Sequence, residues 1–97
     1  MSLVEISHQS DSAKGVFFVA RDGKRAAEMT YVMSGPSVMI IDHTEIGAEL
    51  KGQGVGRELV AAAVRYARRN NLKIMPLCPF AKAEFDRHTE YRDIRLQ

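Results

Sequence analysis

Lys51-Gly52-Gln53-Gly54-Val55-Gly56-Arg57 is a glycine-rich run at mid-chain bounded by two cations. Three alternating glycines lead straight into an alanine-rich amphipathic segment that runs from Gly56 to about Asn70. Glycine reaches φ > 0 at little cost and lets backbone N–H groups come close to a ligand. The first N–H groups of a helix have no partner within it, and the helix dipole places partial positive charge at that end. Together these features describe a phosphate site, with Lys51 and Arg57 supplying formal charge on either side. On these residues alone, a tight strand-to-helix turn with no ligand is the competing reading.

Downstream, Leu59, Val60, Ala63, Val64 and Ala67 make an apolar stripe, while Arg57, Glu58, Arg65 and Arg68 face water. Asn70-Asn71 ends the helix. Lys73 to Cys78 reads as a short apolar strand, set parallel to Val38–Ile46 by a right-handed crossover. Pro79 suits the first position of a second helix, with Phe80, Ala81, Phe85 and Tyr91 packing back on the sheet. Upstream, Val16 to Ala20, Lys24 to Met33 and Val38 to Ile46 read as an antiparallel meander, turning at Asp22-Gly23 and Ser34-Gly35-Pro36-Ser37. Val38 to Ile41 is apolar on both faces, as a central strand is. Leu3 to His8 reads as an edge strand and Gln9 to Gly15 as a loop. The expected fold is α/β with α+β character: a β-meander continuing into a β-α-β unit with a C-terminal helix. In such a sheet the glycine loop and Cys78 share the carboxyl end, where ligands bind.

Ninety-seven residues suit one domain, expected to span 1–97 and to bury about 60–65% of the unfolded chain's surface. The hydrophobic (45%) and charged (27%) fractions are those of an ordinary globular protein. No apolar run approaches a membrane span, and MSLVEISHQSDS has no signal-peptide pattern, so no membrane partner is expected. A net charge of +2 is too weak to argue for nucleic acid. The single cysteine excludes an internal disulfide and suits a reducing cytoplasm. His8 and His88 show no partner in sequence, so no metal site is expected.

Two familiar nucleotide loops fail on specific residues. A Walker loop ends in Gly-Lys-Ser/Thr, and here Gly56 is followed by Arg57-Glu58. The dinucleotide fingerprint needs a third glycine where Arg57 or Leu59 stands, and an acidic residue near 73–78, where there is none. The run instead resembles the pyrophosphate-binding loop of the GNAT superfamily of acetyl-CoA-dependent N-acetyltransferases, Gln/Arg-x-x-Gly-x-Gly/Ala. In that register Lys51 takes the Gln/Arg place and Gly54 and Gly56 the two small positions. His43-Thr44-Glu45 before the loop and Pro76-Leu77-Cys78-Pro79-Phe80 after the helix resemble that superfamily's short, single-domain branch. The resemblance covers Val16 to about Tyr91. It implies a minimal GNAT-like fold with acetyl-CoA as cofactor, held by Lys51, Gly52, Gln53, Gly54, Val55, Gly56 and Arg57. It also implies a small-molecule or protein amine as acceptor.

Three side chains are candidates for chemistry. Cys78, just before Pro79, becomes a helix N-cap whose positive field favours the reactive form of a thiol; simple packing is the competing reading. His43, toward the carboxyl end of its strand, would lie near Cys78 on parallel pairing, and an imidazole suits proton transfer near neutral pH. Glu45 and Glu49 stand where the resemblance places a carboxylate base, and strict alternation puts Glu45 on His43's face. A solvated surface role competes for each. The family's usual acid, a tyrosine on the helix after the fifth strand, has no match here: Ala81 and Phe85 occupy that stretch, and Tyr91 comes too late. The tight turn at Asp22-Gly23 leaves no room for the helices that larger members carry between their first two strands, which implies an open acceptor site. Two functions follow: an acetyl-CoA-dependent N-acetyltransferase using direct transfer to an amine, or a non-catalytic CoA-binding module acting through a protein partner.

Overall fold

A computed structural model describes residues 4–96. Alternating β-formers between short turns give four antiparallel strands, β1 (Ser7–Ser10), β2 (Lys14–Arg21), β3 (Lys24–Ser34) and β4 (Val38–Ile46). Helix α1 (Val55–Arg69) then crosses over to β5 (Lys73–Pro76), which pairs parallel with β4, and α2 (Pro79–Arg87) follows. The sheet order is β1-β2-β3-β4-β5, so the meander and β-α-β unit expected from the sequence are both present.

The first strand differs from expectation. It covers Ser7–Ser10 rather than Leu3 to His8, and Leu3 lies outside the described residues. Residues 9 and 10 extend β1 and residues 14 and 15 belong to β2, so only Asp11–Ala13 connects them. Asp11 closes that turn, its Oδ1 accepting from Ala13 N–H at 2.7 Å and Lys14 N–H at 3.0 Å. The first two strands are therefore joined here and not at Asp22-Gly23, which turns β2 into β3 with both residues at positive φ (52° and 77°). Neither connection holds a helix. His8 also finds partners that sequence spacing did not show. It stacks on Phe17 with ring centroids 4.1 Å apart, meets the edge of Tyr66, and bonds Tyr31 Oη at 2.7 Å.

Helix α1 covers one face of the sheet. Leu59, Val60, Ala63, Val64 and Ala67 are buried against Met29, Met39, Ile41 and Ile74. Each Leu or Val removed from water in this way contributes roughly 1.5–3 kcal/mol. Asn71 at φ 57° ends the helix, with Leu72 N–H returning to the Ala67 carbonyl at 2.8 Å, the Schellman closure. The opposite face stays open: Val38, Ile40 and Met75 are only partly buried and Val32 is exposed. Arg68 is exposed, as expected, and also ties α1 to the C-terminal 3-10 turn (Thr89–Ile94) through Asp93 at 2.8 Å. That contact holds the Asp93 carboxyl below its usual range.

Candidate functional site

The glycines of the loop divide by role. Gly52 and Gly54 sit at φ 78° and 75°, with open space where a Cβ would stand. They are required for backbone conformation, because β-branched or bulky residues resist that region. Gly56 is different: it is already helical, and a Cβ there would overlap the Phe80 ring of α2. The third glycine is thus a seat for Phe80. Gln53 braces the loop from within, its Nε2 donating to the Glu49 carbonyl at 2.9 Å.

The first ladder bond at this end of α1 runs from Glu58 N–H to the Gly54 carbonyl at 3.1 Å. The N–H groups of Val55, Gly56 and Arg57 precede it and point out of the helix start. Beside them lies a cleft of about 330 Å³, lined by the loop, Lys51, Arg57, Ile46, Phe80, Glu84 and Arg87. Open φ space, free N–H groups and flanking cations together fit a pyrophosphate.

β4 reaches this cleft at Ile46. Pairing with β5 stops at Ile41↔Pro76, so one edge of Asp42–Ile46 has no strand beside it. Strict alternation along β4 also fails. Tyr31 pairs with Ile41 and Thr30 with His43, which leaves Asp42 as an extra, bulged residue. Beyond the bulge the facing residues change. Thr44, opposite buried Met29, meets Cys78, with Oγ1···Sγ at 3.3 Å. His43 and Glu45 share the open face with Glu28; His43 Nε2 stands 3.6 Å from Glu45 Oε1. The neighbour that sequence spacing expected His43 to be for Cys78 is Thr44 instead, and the one-residue bulge is the reason. Glu45 does share His43's face. Glu49 is exposed within the 3-10 turn Ala48–Leu50.

Cys78 is the N-cap of α2, its sulfur accepting from Ala81 N–H at 3.3 Å, with Pro79 at the first helical position. It is buried among core residues, while the preceding Leu77 is 60% exposed. Ile46 and Phe80, which line the cleft, each stand two residues beyond Thr44 and Cys78. Phe80, expected to pack back on the sheet, is instead 38% exposed and lies against Gly56, while Thr44, Glu84 and Arg87 were not singled out from sequence. The spacing of 80, 84 and 87 marks one helix face and could have flagged the last two.

The GCN5-related N-acetyltransferase family model matches residues 16–94. A GCN5-like candidate N-acetyltransferase from Staphylococcus aureus, solved by NMR, is 39% identical, with TM-score 0.75 over 99% of this chain and 91% of that one. The chain belongs to the GCN5-related N-acetyltransferases. Acetyl transfer is therefore its class of activity, and the family uses acetyl-CoA. Two more distant structures share the GCN5-related fold. The ribosomal-protein-alanine N-acetyltransferase of Brucella melitensis is 17% identical, TM-score 0.62, with 90% of this chain and 64% of that one covered. AAC(6')-Iy, bound to a CoA bisubstrate analogue, is 14% identical, TM-score 0.55, with 84% and 62% covered. No curated protein matches the chain. Within this GCN5-related fold the phenol nearest the fifth strand's helix is Tyr91. It packs on Phe85 and His88, and burial raises it above the usual tyrosine range.

Proposed function

We propose that this acetyltransferase binds acetyl-CoA with its pyrophosphate on the glycine loop and transfers the acetyl group directly to an amine that arrives over the open face of the sheet. The observation that carries the reading is the juncture of two features. The phosphate-fitting cleft reaches Ile46, the last residue of the stretch of β4 that has no β5 neighbour, and His43 and Glu45 lie on that stretch, with Cys78 bonded to its Thr44. Leu77-Cys78-Pro79-Phe80 then marks the short branch of the family, with Phe80 closing the cleft against Gly56.

Acetyl-CoA supplies the activated thioester carbonyl. The chain's residues do the remainder. Val55, Gly56 and Arg57 N–H groups, with Lys51, hold the phosphates. His43 and Glu45 stand exposed on the acceptor side, where they take a proton from the incoming amine. Thr44 and Cys78, hydrogen-bonded to each other on the core side, hold a proton for the departing sulfur. With only three residues between β1 and β2, no helix roofs the acceptor site, which suits an exposed protein amine or a polyamine.

Turnover with a panel of amines tests the activity, and a protein that binds CoA yet releases no acetyl product with any of them is a binding module acting through a partner. Incubation with acetyl-CoA alone tests direct transfer. No acetyl-cysteine should form at Cys78 at the rate of turnover; one that does identifies a relay through the thiol.

A further inference from the structure

On α2, Phe80, Glu84 and Arg87 follow one another along a single face and all line the cleft. Phe80 sits at the loop, against Gly56. Arg87, seven residues on, stands about 10 Å further along the helix axis at 1.5 Å per residue. Cationic groups therefore reach this cleft at two separate places: Lys51 and Arg57 beside the loop, and Arg87 at the far end of α2.

Arg87 is also held in position. The Glu84 side chain is only 5% exposed, and its Oε2 accepts from Arg87 Nη1 at 2.5 Å. Glu84 Oε1 faces His88 Nε2 at 3.2 Å without hydrogen-bond alignment. A buried carboxylate needs a close cation, and this one anchors an arginine whose own side chain remains 63% exposed. Among the described residues Arg87 makes no other hydrogen bond, and it lines the cleft, so the rest of the guanidinium fork is available to a ligand there. A fork of this kind matches phosphate.

Coenzyme A carries a phosphate on its ribose, apart from the pyrophosphate. If the pyrophosphate occupies the loop, a ribose together with an arginine side chain bridges the distance to Arg87. We infer that Arg87, positioned by Glu84, binds the ribose phosphate of coenzyme A and makes the protein prefer CoA to 3′-dephospho-CoA. The inference rests on the proposed placement of CoA in this cleft.

Calorimetric titration with CoA and with 3′-dephospho-CoA decides it. The wild-type protein should bind CoA about tenfold more tightly, the scale of one hydrogen-bonded charge contact. Arg87→Ala should lose that factor for CoA and leave 3′-dephospho-CoA unchanged, and Arg87→Lys should recover part of it. Because Arg87→Ala strands the Glu84 carboxylate, the double variant Arg87→Ala/Glu84→Gln removes the pair together and should show the same loss of preference. Equal affinity of the wild type for the two ligands, or a preference kept by a folded variant lacking Arg87, overturns the inference and leaves the loop assignment standing. A wild-type protein that binds neither ligand overturns the loop assignment, and this inference with it.

Discussion

Val38–Ile41 and Asp42–Ile46 are consecutive halves of β4, and they differ in what flanks them. The first half is paired on both edges, with β3 and β5, and buries Met39 and Ile41 completely beneath α1. The second half is paired only with β3, begins with a bulge, and carries Thr44 toward Cys78 and His43 and Glu45 toward solvent. A central strand is the most constrained place in a sheet, so a site can form on it only where pairing stops. The loss of the β5 neighbour exposes an edge, and the bulge turns side chains over. Stability and the proposed chemistry thus occupy one strand, divided at Ile41.

Substitutions on either side of that division should separate the two properties. Ile41→Ala, on the paired side, should cost about 2–5 kcal/mol through lost burial and a cavity. Urea unfolding would read this as a lower midpoint, with CoA affinity unchanged in the fraction that stays folded. Next, Gly54→Val should weaken CoA binding at least about a hundredfold, because valine resists the positive φ that shapes the phosphate cradle. Its circular dichroism should remain native-like, and wild-type affinity in that folded variant would sink the cleft assignment. Gly56→Val, by contrast, should act through Phe80 and reduce stability as well as binding.

Cys78→Ala probes the unpaired side more finely. It should lower kcat by about a hundredfold, at the lower end of general acid–base effects, while CoA affinity stays within about twofold. Thr44→Val should lower kcat in the same direction if hydroxyl and thiol act together. A Cys78→Ala protein with full turnover and a reduced Tm would make the thiol a packing residue.

The smallest effect belongs to β1, remote from both halves. Burial lowers the pKa of His8 below its ordinary value. The groups facing it are the aromatic rings of Phe17, Tyr31 and Tyr66. As pH falls below about 6.5, the unfolded chain takes up the proton before the folded one does, so stability is fullest above that pH and declines below it. Thermal melts at pH 7.5 and 5.5 should differ by a few degrees, and His8→Phe should abolish this contribution. An undiminished difference in that variant would place the sensitive group elsewhere.

What the sequence determined by itself is what depends on local chemistry. The Asp-Gly hairpin, the helix stripe, the two Asn residues that stop α1, and Pro79 after a capping Cys78 are each set by neighbours within a few positions, so their signals lie in short windows. The loop and its family resemblance were legible for the same reason. Tertiary structure alone decided where the strands part and which side chains meet. The bulge at Asp42 depends on how β3 and β4 register over their whole length, and a one-residue slip exchanges Thr44 for His43 beside Cys78. The only local hint was an aspartate inside a strand. Gly56 likewise reads as a loop glycine until α2 packs against α1 and sets the Phe80 ring on it. Arg87 is paired to a buried carboxylate one turn earlier beside the cleft, and burial is a property of the packed molecule that no short window contains.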